Sequence, residues 1–106
     1  MSNFANPEDT KLATLATSTQ KRTGAKQAAA LRDSTGRTYV AINIDSPSLK
    51  LDALEAVFTV AMASQISGIE GVVAVGEKPT KAGVISDHSP SATIFFIDSD
   101  GTVSEL

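Results

Sequence analysis

Cysteine is absent from this chain, tryptophan is absent, and histidine occurs once, at His88. No cysteine means no disulfide, no thiolate nucleophile and no Cys-held metal. A single imidazole leaves little for zinc chemistry, because catalytic zinc sites are built on two or more nitrogen or sulfur ligands. Aromatic residues make up 5% of the chain, so Ala, Val, Ile and Leu must form its core. Positive charge is also scarce. The net charge is −3, with nine Lys and Arg against twelve Asp and Glu. Nucleic acid is therefore excluded as the main partner, since phosphate neutralisation needs clustered cations. The short basic patch Lys21, Arg22 and Lys26 reads as solvated surface. No apolar run approaches the ~20 residues of a membrane span. Met1–Thr10 is polar and acidic, unlike a signal peptide. A cytoplasmic location is the default expectation.

What is present fits one globular unit. The chain has 106 residues, 42% of them hydrophobic and 20% charged. A chain of this size buries roughly 65% of its unfolded surface. The expected organisation is a single domain over 1–106, with residues 1–6 loosely ordered.

Asn6 followed by Pro7-Glu8-Asp9 predicts a helix start, with acids in the first turn favoured by the helix dipole. Leu12, Leu15 and Ala16 carry that helix to Gln20, and Gly24 breaks it. Ala25–Arg32 is ambiguous, because its three consecutive alanines favour helix. The turn Asp33-Ser34-Thr35-Gly36 and the β-rich run after it favour a hairpin, with strands over 25–32 and 37–44. Ser46-Pro47-Ser48 predicts the start of the next helix. Apolar positions at Leu51, Leu54, Val57, Phe58, Ala61 and Met62 give it a buried face, ended by Gly68. Its many alanines suit close packing on a sheet or on a symmetry mate. Gly71–Gly76 and Thr93–Asp98 are short apolar runs typical of strands covered on both faces. Glu77–Ser91 reads as an irregular loop, and Thr102–Leu106 as a short last strand. The fold class is α/β: a mixed central sheet of about five strands with two main helices.

Asp33–Asp45 resembles the second-strand region of small, zinc-dependent cytidine deaminases. There an acidic-Gly turn leads into a strand ending in Asn-x-Glu, and the next helix opens with Cys-Ala-Glu. Ala25–Leu31 is similar to that family's Gly-Ala-Ala-rich first strand, Gly71–Val75 to its third, and Ala92–Gly101 to a strand ending in an Asn/Asp-x-Asp-Gly turn. The resemblance covers roughly residues 8–106 and rests on the order of these segments.

It implies that Asn43 and Asp45 stand where the family hydrogen-bonds ribose hydroxyls, Asp45 being one methylene shorter than Glu. The bland alternative keeps Asn43 in a strand-end network and Asp45 as a helix cap. The resemblance also implies a zinc site, and the matching positions lack it. Depending on the register, Leu51, Leu54 or Ala53 stands at the first ligand, and Ala53, Ala56 or Glu55 at the catalytic Glu. The family's Pro-Cys-x-x-Cys, which opens a third helix, falls on Ser86–Ser91, where both cysteines are missing and no helix is expected. No metal or cofactor is expected. His88 with carboxylates from Asp52, Glu55 or Asp87 is too poor a set for zinc.

Three functions remain open. The first is a zinc-free, non-catalytic relative acting through binding or assembly as a dimer or tetramer, as the resembled family assembles. The second is a residual pyrimidine-nucleoside module clamping ribose with Asn43 and Asp45, or a chain carrying the family's hydrolytic deamination. The third is an enzyme of another class using Glu55 or Asp52 as a base.

Overall fold

A computed structural model describes residues 4–106, so part of the loosely ordered start, residues 1–3, lies outside the described residues. The element order is α1 (Pro7–Thr23), β1 (Gln27–Asp33), β2 (Thr38–Ile42), β3 (Ile44–Asp45), β4 (Lys50–Leu51), α2 (Ala53–Ala63), β5 (Ile69–Gly76), α3 (Gly83–His88), β6 (Thr93–Ile97) and β7 (Val103–Glu105). Five strands form one mixed sheet in the order β2-β1-β5-β6-β7, and β3 and β4 pair separately. Only β5 and β6 run parallel; β1 pairs antiparallel with both β2 and β5.

Helix α1 begins as its sequence requires. Asn6 caps it by accepting from the Glu8 N–H, Pro7 takes the first turn, and Gly24 ends it in a left-handed conformation. Residues 4–6 are placed, with the Phe4 ring edge-on to Phe95 at 5.0 Å.

Alanine in β1 is explained by its position between two layers. Ala28 and Ala30 face α1, with Leu12, Ala16, Val73 and Val75, while Ala29 and Leu31 face α2, with Leu54, Val57 and Val72. A strand covered on both faces needs side chains short enough for both helices to approach. Leu12, Leu31, Leu54 and Val57 are fully buried. Each such side chain contributes about 1.5–3 kcal/mol relative to exposure.

Four expectations are corrected. The third helix is present: α3 lies within the stretch expected to be an irregular loop. It is six residues long, and Ile85, its only fully buried side chain, packs into the core beside Ala53, Leu54 and Val57. One buried residue in a turn and a half leaves no periodicity to read. The second helix does not start at Ser46-Pro47. Ser46 turns the chain between β3 and β4, its N–H and Oγ both donating to the Leu49 carbonyl. Asp52 and Glu55 form a reciprocal capping box that starts α2 instead. The strand expected to reach residue 44 stops at Ile42. Helix α2 also ends before Gly68, with Gln65 in a left-handed conformation (φ 60°). Among the described residues no helix is long and apolar enough to cross a membrane.

The β1–β2 turn is built on Asp33, which is buried. Its Oδ1 accepts from the Thr35 and Arg37 N–H groups and from the Thr35 hydroxyl, and its Oδ2 from the Tyr39 hydroxyl. Burial pushes the carboxyl's pKa up, but these donors outweigh it and hold it below the ordinary 3.8. The stabilisation is therefore complete above the unfolded value and lost as pH falls through the lower folded value. Asp33→Asn is expected to cost about 1–3 kcal/mol at neutral pH. The difference from the parent should shrink in urea titrations at about pH 3 and below.

Candidate functional site

A solvent-open cleft of about 350 Å³ lies at the start of α2, and its walls come from several parts of the chain. The ends of β1 and β5 supply Gln27 and Glu77, the β2–β3 junction supplies Asn43, and the β3–β4 hairpin supplies Asp45 and Lys50. The helix start supplies Asp52 and Glu55, and the segment leading to α3 supplies Thr80 and Lys81.

Gln27 is the residue around which the cleft floor is organised. Its Oε1 accepts from the Ala53 N–H at 3.0 Å, and its Nε2 donates to the Glu77 carbonyl at 3.0 Å. Its backbone N–H donates to Asn43 Oδ1 at 3.0 Å, and its carbonyl accepts from the Asn43 N–H at 3.3 Å. Asn43 therefore closes the end of the β1–β2 ladder and stops strand β2. The bland expectation of a strand-end network describes its Oδ1. Among the described residues its Nδ2 has no hydrogen-bond partner, and the residue lines the cleft.

Asp45 lies on the same cleft, exposed, with Oδ1 at 3.6 Å from Lys50 Nζ across the small hairpin. It does not cap α2. An exposed pair of this kind is worth at most about 1 kcal/mol, so Asp45 is free to exchange partners. The cap is Asp52. Its Oδ1 accepts from the Glu55 N–H at 2.9 Å, and Glu55 Oε1 accepts from the Asp52 N–H at 3.0 Å. Asp52 Oδ2 reaches the other wall, accepting from the Thr80 and Lys81 N–H groups at 3.0 and 2.9 Å. Both carboxylates proposed as general bases are thus occupied by backbone donors.

His88 is exposed at the end of α3 and does not line the cleft. Its Nδ1 lies 2.9 Å from Ser89 Oγ, and its ring stands edge-on to Phe58 at 5.8 Å. Among the described residues no three His, Cys, Asp or Glu side chains come together as a metal-holding group.

Gln27 and Glu77 were missed as site residues, and so were Thr80, Lys81 and the second role of Asp52. The Asp52-x-x-Glu55 spacing was a usable signal, since it is the capping-box pattern just before an apolar run. The backbone donors of Thr80 and Lys81 leave none.

The sequence profile described as cytidine deaminase-like matches residues 5–101. The chain belongs to the cytidine deaminase-like family. Among solved structures it is similar to the cytidine deaminase from Burkholderia pseudomallei, with a TM-score of 0.75 at 17% identity over 91% of this chain and 89% of that one. It is also similar to the cytidine deaminases from Mycobacterium leprae (TM-score 0.66, 15% identity, 91% of each chain) and Bacillus anthracis (0.70, 15%, 95% and 83%). At such identities these likenesses show the fold. No curated protein sequence matches the chain. Membership of the cytidine deaminase-like family accords with the order of segments read from the sequence.

Proposed function

We propose that this protein is a zinc-free, non-catalytic member of the cytidine deaminase-like family that acts through binding or oligomeric assembly. The observation that carries the proposal is the state of the α2 start. Two of its leading N–H groups, those of Ala53 and Glu55, are filled by the chain's own Gln27 and Asp52. The residues around it do not fit zinc. The acidic side chains of the cleft offer oxygen only, two of them already hold backbone donors, the chain has no cysteine, and His88 lies elsewhere. Zinc sites of structural or catalytic type draw on Cys and His.

Assembly is supported by the outer side of α2. Thr59, Val60, Ala63 and Ser64 are exposed there and carry no charge, and Val60 is 41% exposed. Its alanines Ala53, Ala56 and Ala61 are buried, Ala53 and Ala61 in the core cluster shared with the sheet, and so serve the fold, not a partner. A second reading, nucleoside binding without chemistry, is favoured by the joint presence of Asn43 and Asp45 on the cleft.

The test is metal analysis and a cytidine-turnover assay on the purified protein, with calorimetric titration of cytidine, uridine and deoxyuridine. Zinc far below one per chain and no turnover are expected. Zinc at one per chain with turnover overturns the proposal. Nucleoside binding that is lost in Asn43→Ala selects the second reading over assembly alone.

A further inference from the structure

Gln27 ties the α2 start to Glu77 at the cleft floor, and one carboxylate, Asp52, joins the walls beyond it. Asp52 Oδ1 is held by α2 itself, through the Glu55 N–H, whereas Oδ2 crosses the cleft mouth to the consecutive N–H groups of Thr80 and Lys81. Two successive backbone donors converging on one oxygen form a small anion seat, and charge-assisted bonds of this type are about twice as strong as neutral ones. The segment they belong to leaves β5 at Gly76 and leads into α3 at Gly83. It has one other tie near the cleft, at its opposite end, where Glu77 bonds Lys26 and Gln27 through the backbone and the Gln27 amide. Between those ties Pro79 is buried.

We propose that Asp52 is a positioning residue that latches the segment Glu77–Ala82 to the start of α2. It fixes the width of the cleft mouth by an intramolecular anion contact that needs no metal. N-capping needs one oxygen, and Ser and Asn serve about as well as Asp. The second oxygen is what this position adds. Spanning two elements 28 and 29 residues apart in sequence, it joins parts of the chain that have no shared ladder at that point. The latch concerns the shape of the cleft and stands whether the cleft binds a nucleoside or nothing.

The experiment separates cap from latch. Asp52→Ser keeps an N-capping oxygen for Glu55 and removes the oxygen that reaches Thr80 and Lys81. Amide exchange followed by NMR is expected to accelerate by at least about tenfold at Thr80 and Lys81 in this variant, with Glu55 changed far less. In Asp52→Gly all three amides should speed up, and added formate should slow Thr80 and Lys81 again in a dose-dependent way, while chloride at equal ionic strength should not. A chelator should leave the parent's exchange at these amides unchanged. Unchanged exchange at Thr80 and Lys81 in Asp52→Ser overturns the latch. So does a chelator that accelerates exchange there as much as the substitution does, because the tie would then be a metal. Neither outcome depends on turnover, so the latch and the non-catalytic reading fail separately.

Discussion

Gly76→Ala is expected to leave little folded protein. Gly76 ends β5 with φ at +98°, a conformation side-chain-bearing residues rarely adopt, and an added Cβ would stand 2.1 Å from the Lys26 carbonyl oxygen and 2.6 Å from Gln20 Nε2. The glutamine tip can move, but the carbonyl cannot. It accepts from the Glu77 N–H at 3.0 Å and leads directly into β1, where Gln27 pairs with Gly76. Relief therefore requires β1 and β5 to separate at the end of the sheet that carries the cleft. A loss above about 4 kcal/mol is expected, a large share of the ~5–15 kcal/mol that holds a domain together. Gly24→Ala is the control. It shares a positive φ (+70°) but meets nothing within 4 Å, so its cost should stay near 1 kcal/mol. Thermal unfolding of both variants checks the contrast, and equal losses would show that close approach at Gly76 is not the cause.

Arg32→Ala should produce the second largest effect. Arg32 emerges from β1 under the start of α1, with Nη1 3.0 Å from Asp9 Oδ1 and Nε 3.0 Å from Glu70 Oε1. The Arg32 and Asp9 side chains are 7% and 11% exposed, whereas Glu70 is 51% exposed. Removing the guanidinium strands the Asp9 carboxylate in a nearly dry place, which costs about 3–5 kcal/mol in buried pairs generally. The loss is in desolvation more than in attraction, so the double replacement Asp9→Leu with Arg32→Met should cost clearly less than Arg32→Ala alone. Urea titrations of the single and double variants decide it. Additive losses would mean that the pair is not coupled. Gly71 belongs to the same construction, since a Cβ there would approach Arg32 Nη2 and Asp9 Oδ1 to 3.1 Å.

Much of this architecture was legible because the deciding residues are local. Asn6-Pro7-Glu8 marks a helix start in any context, the turn at Asp33–Gly36 carries its own hydrogen-bond acceptor, and Val72–Val75 is apolar throughout because both faces are covered. The alanine strand was ambiguous locally, and only the layers above and below it explain why Ala28, Ala29 and Ala30 stand there. Helix α3 was illegible for the opposite reason. Its one fully buried side chain, Ile85, sits among lysine, glycine and serine residues that read as loop. At the α2 start two signals competed, Ser46-Pro47 and Asp52-x-x-Glu55, and the pair that satisfies two backbone donors at once prevailed.

The cleft divides along the same line. Asn43 was singled out through the family resemblance, within a strand expected to run to residue 44, and it lines the cleft. Gln27 was invisible, because its importance comes from contacts with Ala53 and Glu77, residues 26 and 50 positions away. A long-range plug of this kind is a property of the assembled sheet and helix. It fills one backbone donor at the helix start, the Ala53 N–H.

Whether the protein works without zinc is tested most directly by the zinc content of the purified protein, measured by elemental analysis alongside cytidine turnover on the same sample. Zinc far below one per chain and no turnover above the uncatalysed rate are expected, with thermal stability unchanged by a chelator. One zinc per chain, removed by the chelator together with deaminase activity, would contradict the zinc-free, non-catalytic reading.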